Sequence, residues 1–80
     1  MSYKPFVEYL IGAVVSQPEA LEIEEEFEDG TRVFYVRCAP EDVGKVIGKS
    51  GRVAKAIRNV VSAVAAKSRE RAFIKIVTES

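Results

Sequence analysis

Two glycines three positions apart, Gly48 and Gly51, interrupt a stretch that otherwise reads as helix from Pro40 to Lys67. Glycine at both ends of a four-residue segment lets the backbone turn sharply and removes the Cβ that would obstruct an approaching group. Whatever this chain folds into must therefore join two helices at Gly48-Lys49-Ser50-Gly51. The first helix opens at Pro40, with Glu41 and Asp42 in its first turn, where they favour the helix dipole. It runs through Val46 or Ile47. The second covers residues 52–67, with Val53, Ile57, Val60, Val61 and Val64 at helical spacing.

The flanking segments have their own periods. Residues 4–16 read as a helix, with Pro5 in the first turn, apolar rows at Phe6/Leu10/Ala13/Val14 and Val7/Ile11/Val15, and Pro18 just past the end. Residues 20–28 alternate: Leu21, Ile23 and Phe27 on one side, Glu22, Glu24, Glu26 and Glu28 on the other, with Glu25 an exception on the apolar side. Asp29-Gly30 is a hairpin turn signal, and residues 31–38 are β-branched and aromatic. Residues 72–78 form a last strand. The order α-β-β-α-α-β predicts an α+β two-layer sandwich, with three helices on one face of a three-stranded mixed sheet and the Glu-rich side of the first strand in water.

Eighty residues make one domain, 1–80. A chain this short buries only about 60% of its unfolded surface, so the core is thin and a deep pocket for a small-molecule substrate is not expected. There is no His and no Trp, and Cys38 is the sole cysteine. That excludes an internal disulfide and a Cys-rich zinc site, and Cys38 reads as a buried structural thiol. No nucleophile–base pair stands out, so no catalytic residue, metal or cofactor is expected. Leu10 to Val15 is too short an apolar run to span a membrane, and no signal peptide is evident; with the free thiol this points to the cytoplasm.

The charges are lopsided. Residues 1–40 carry three basic and eight acidic side chains; residues 41–80 carry nine basic and four acidic, for a formal total of zero. Such asymmetry points to a polyanionic partner, or to two halves that neutralise each other in the fold. The basic charge gathers near the glycines. The helix that begins near Gly51 has unpaired N–H groups at its start, a place that attracts phosphate. Lys49 and Arg52 add charge there and Ser50 a hydroxyl. The plainer reading of the four residues is a tight interhelical turn. Gly48-Lys49-Ser50 also looks like the end of a nucleotide-binding G-x-x-x-x-G-K-[ST] loop, but that motif needs glycine at 43, where Val stands, and a preceding strand.

The run Asp42-Val43-Gly44-Lys45-Val46-Ile47-Gly48-Lys49-Ser50-Gly51-Arg52, continuing through Ala54-Lys55-Ala56-Ile57-Arg58, resembles the KH-domain signature. The element order, the length and Gln17-Pro18-Glu19-Ala20-Leu21 after the first helix are similar to the small bacterial type II KH proteins of the KhpA (YlqC-like) family. The resemblance implies a sequence-tolerant protein that clamps about four nucleotides of single-stranded RNA. By that likeness Gly48, Lys49, Ser50, Gly51 and Arg52 would hold phosphates, aided by Lys45 and Lys55. Bases would lie in an apolar groove beside Val43, Ile47 and a neighbouring sheet edge. It also implies a dimeric RNA chaperone or regulator.

On a helical wheel Arg52, Lys55, Arg58, Asn59 and Ser62 gather on one side of the long helix, either extending the phosphate track or simply facing solvent. Its apolar arc spans about 200°, twice the usual stripe. Ala56, Val60 and Ala63 along one edge are candidates for a dimer interface, with a second copy or a larger KH-containing partner; the N-terminal helix is a rival, and a well-buried helix the plainer account. A protein-interaction module with little RNA binding is the alternative to RNA recognition.

Overall fold

A computed structural model describes residues 3–78, so the outermost positions of the expected domain 1–80 lie outside the described residues. Helix α1 (Lys4–Gly12) leads through a single 3₁₀ turn (Pro18–Ala20) into β1 (Glu22–Glu28). Then follow β2 (Thr31–Arg37), α2 (Pro40–Ile47), a 3₁₀ turn (Lys49–Gly51), α3 (Arg52–Lys67) and β3 (Arg71–Ile76). The order is the α-β-β-α-α-β read from the sequence, and the sheet is mixed.

β2 is central. β1 joins it antiparallel through the Asp29-Gly30 turn, both residues at positive φ as in a two-residue I′ turn. β3 lies parallel on its other side. The register aligns Ile23 with Val36 and Phe34 with Ile74, which places all four side chains on the helix-covered face. They meet Val7 and Ile11 of α1, Val46 of α2 and Ile57, Val61 and Ala65 of α3 in one core, where Val7, Ile11, Phe34 and Val36 are fully buried. Glu22, Glu24, Glu26 and Glu28 stand exposed on the opposite face.

Two departures from the sequence reading have physical causes. The first helix stops at Gly12, not at residue 16. The amides of Ser16 and Gln17 are drawn instead to the Asp42 carboxylate, each at 3.0 Å. Glycine followed by the β-branched pair Val14-Val15 also weakens the helix there. Asp42 is only 1% exposed, so it is a buried clasp between the end of α1 and α2, a larger role than the dipole partner expected. Those two amides, Ser16 first, with Lys45 at 3.7 Å, hold its carboxyl below its ordinary value against the opposing effect of burial.

Glu25, the misfit on the apolar side of β1, has a partner. Arg32 bonds Glu25 at 2.9 Å and Glu70 at 2.7 Å, and its guanidinium lies over the rings of Tyr3 and Phe27. The Tyr3 hydroxyl donates to Glu70 at 2.8 Å. Arg32, then Tyr3, keeps the Glu70 carboxyl below its ordinary value. This network fastens the start of α1 to the α3–β3 junction at the end of the sheet away from Asp42.

Candidate nucleic-acid interface

The junction of α2 and α3 is built from three consecutive demands on the backbone. Gly48 sits at φ 78, ψ 171, a region that only glycine enters readily. Its missing Cβ leaves room for Val53, whose Cγ2 would otherwise be overlapped. Ser50 (φ 58) and Gly51 (φ 74) are both left-handed, so the chain doubles back tightly, closed by a 3.1 Å bond from the Gly51 amide to the Gly48 carbonyl. No side chain caps the start of α3. Its first amides are therefore available at the mouth of the turn. Lys49, Ser50 and Arg52 are exposed around them, and Lys55 follows one turn along α3. Among the described residues Lys49, Arg52 and Lys55 form no ion pair.

Beside the turn, an open groove of about 500 Å³ runs between the two helices and β3. It is lined by Ile47, Gly51, Ala54, Arg58, Phe73, Lys75 and Ile76. The floor is apolar and both rims carry a cation. This is the combination that suits a base on the inside and phosphate at the edge.

The expected site residues divide. Ile47 and Gly51 line the groove, with Gly48, Lys49, Ser50 and Arg52 at the turn. Val43, one turn before Ile47, lines a separate depression with Cys38, Arg37 and Val77. Cys38 is free and half-buried, its thiol pushed up by burial and then by Asp42. The Lys45 ammonium is bonded to the Ser16 hydroxyl and faces Asp42, so it braces the α1–α2 clasp.

On α3 the polar side also divides. Arg58 Nε bonds the Ile74 carbonyl at 3.1 Å, and the Ser62 hydroxyl reaches the Ala72 carbonyl at 3.4 Å. These two side chains close the outer edge of β3, leaving Arg52, Lys55 and Asn59 in solvent. Ala54, Ile57, Val61 and Ala65 form the buried face, whereas Ala56, Val60 and Ala63 are exposed, Val60 at 44%.

The sequence profile of the KhpA/KhpB KH domain matches residues 4–76. A protein from Clostridium perfringens, "RNA-binding protein KhpA", is 39% identical over 74 residues, 92% of this chain and 99% of the relative. The protein of the same name from Caldanaerobacter subterraneus is 41% identical, covering 89% and 95%. The one from Chlamydia pneumoniae is 37% identical, covering 95% and 97%. The chain belongs to the KhpA/KhpB KH-domain family. No solved structure matches it.

Within this KH domain the signature run serves two purposes. Asp42 and Lys45 hold the end of α1, while Ile47 to Arg52 shape the turn and one wall of the groove. Phe73, Lys75 and Ile76, which make the β3 wall, were expected only as an unspecified neighbouring sheet edge, and Arg58 only as one of the polar residues on the long helix. The signal for them was present: Phe73 is a large apolar residue on the side of β3 opposite Ile74, flanked two residues away by Arg71 and Lys75. Among the described residues no helix is long and apolar enough to cross a membrane.

Proposed function

We propose that this KH domain, taken as a single unit over 1–80, binds single-stranded RNA without catalysis and works in the cytoplasm as a dimeric RNA chaperone or regulator. The observation that carries the reading is the apolar groove opening directly beside a glycine-bounded turn whose cations form no ion pair among the described residues. Uncapped amides of α3 meet phosphate, with Lys49, Arg52 and Lys55 supplying charge. Gly48 and Gly51 allow the close approach, and Ser50 donates a hydroxyl bond. Ile47 and the groove floor take the bases. Lys45 and Val43 stand at the margin of this track. The names borne by the relatives support the choice of RNA as ligand.

Titration of a fluorescent single-stranded RNA at two salt concentrations tests this. Replacing Lys49 and Ser50 together, Lys49→Asp and Ser50→Asp, keeps both glycines and reverses the charge. The expected outcome is salt-sensitive binding by the unmodified chain and its loss in the double variant. Neutralising Lys49 and Arg52 flattens the salt dependence by about 0.7 in logarithmic slope for each phosphate contact removed. Equal affinity and slope in all variants would sink the loop assignment.

A second reading has one observation in its favour. The Ala56-Val60-Ala63 stripe on α3 is apolar and exposed, and small residues let helices approach closely. Here the domain recruits a second copy or a larger KH-containing protein and touches RNA little. Loss of cellular function on Val60→Asp, with function kept on Lys49→Asp, would favour it; the reverse ranking favours RNA binding.

A further inference from the structure

The open face of the sheet is divided lengthwise by chemistry. On β1 it presents Glu22, Glu24, Glu26 and Glu28, and on β3 it presents Arg71, Phe73 and Lys75. Phe73 is 47% exposed, and much of its large aromatic ring faces solvent on this side. The Arg58 guanidinium, reaching round the sheet edge from α3, lies 5.3 Å from the centre of that ring. Arg71 and Lys75 make no ion pair among the described residues. Phe73 also stands between two depressions. It lines the groove together with Lys75, and it lines a second hollow together with Arg71, Ser62 and Ala66. Glu70 at that hollow is already neutralised by Arg32 at 2.7 Å.

We infer that the Arg71-Phe73-Lys75 strip is a second contact site for the same RNA strand, in which Phe73 stacks on a base beyond those held in the groove. The inference rests on the RNA-binding reading above and extends its path. Continuity comes from Phe73 itself, which belongs to both hollows. The ring face under Arg58 is covered and its exposed part is open to a base, so the nucleotide completes a cation–ring–base stack. Arg71 and Lys75, two residues either side on the same face, stand where adjoining phosphates pass. The Glu row on β1 repels phosphate and confines the strand to the β3 side of the sheet.

Two variants and two RNA lengths test this. A tetramer fills the groove alone, and an octamer reaches the strip. Phe73→Leu keeps an apolar side chain and removes the ring. Its octamer affinity should fall roughly tenfold, the usual scale for one stacked base, and several-fold further than its tetramer affinity, for which the ring is only one part of the groove wall. The chain has no tryptophan, so Phe73→Trp places a sole reporter at the strip. Its emission should be quenched by the octamer over the range in which anisotropy of a labelled octamer rises. Equal losses on both lengths for Phe73→Leu overturn the inference, because they mean a change in the groove itself. Unchanged emission from Phe73→Trp while anisotropy saturates overturns it as well. Failure of the unmodified protein to bind either length in the anisotropy arm removes the RNA reading and this inference together. That outcome is distinct from the first two, which leave RNA binding intact.

Discussion

Val53 fills the space that a side chain on Gly48 would need. A Cβ at position 48 would lie 2.7 Å from Val53 Cβ and 2.8 Å from the Val53 amide nitrogen, distances that packed atoms do not tolerate. The turn and the first residue rows of α3 are thus one packed piece, and the glycine is a requirement of the fold before it is a requirement of any ligand.

Gly48→Ala should therefore destabilise the protein by about 2 kcal/mol or more, combining backbone strain at positive φ with overpacking against Val53. Gly51→Ala meets no atom within 4 Å and carries only the left-handed backbone cost, about 1 kcal/mol. Urea denaturation of the two variants checks the ranking; equal losses would contradict the packing argument.

Asp42 gives stability a dependence on acid. Its carboxyl is held below the ordinary value by the Ser16 and Gln17 amides and Lys45, so the folded state favours the charged form. The contribution is fully present above the unfolded value, about pH 4, and is lost as pH falls through the lower folded value. Asp42→Asn should lower Tm at pH 7 and shrink the further drop seen below pH 4. Some acid sensitivity should persist in the variant, because Glu70 is shifted in the same direction by Arg32 and Tyr3. Thermal melts at pH 7 and pH 3 decide it.

Arg58 closes a carbonyl on the outer edge of β3. Arg58→Met keeps the apolar stem and removes the donor, and should cost about 1 kcal/mol, the net worth of one such bond. Arg52→Met, at an exposed position with no ion pair among the described residues, should be close to neutral by the same denaturant measurement.

Val60→Asp places a charge in the exposed α3 stripe, where it has water available, so the monomer fold should keep its Tm within a degree or two. Under the proposed dimer, sedimentation velocity should find the unmodified chain dimeric and the variant monomeric at the same concentration. A persistent dimer would move the interface to α1, where Tyr9 is 76% exposed.

Periodicity made the fold readable in the sequence. Alternation in residues 20–28, the Asp29-Gly30 turn and the helical spacing of Val53, Ile57 and Val61 each report a local backbone state, and local states are what a sequence pattern encodes. The two glycines marked the turn for the same reason. What stayed hidden depends on partners distant in the chain. Asp42 looks like any acid in a first turn until Ser16 and Gln17, 26 and 25 residues earlier, are placed on it. Arg58 reads as one more cation on a polar helix side until β3 arrives beside it. Glu25 breaks its strand's pattern until Arg32, diagonally across on β2, is seen to pair with it. The second wall of the groove was expected as a sheet edge but not named by residue, because the strand that makes it is fixed by the parallel pairing, and no local signal tells an edge strand beside a helix junction from any other.

The parallel pairing of β2 with β3 has a consequence for the order of assembly. The β1–β2 hairpin and the α2–turn–α3 unit are local and can form within their own segments. Joining β3 to β2 requires the whole crossover between Arg37 and Arg71 to be in place first. Contacts of such long sequence separation are slow to close. A chain part-way through folding, or part-way through synthesis, therefore carries the glycine turn and its cations well before it has a wall opposite them. On the proposed RNA-binding reading, phosphate attraction would precede base accommodation, because only the docking of β3 converts a basic turn into a groove.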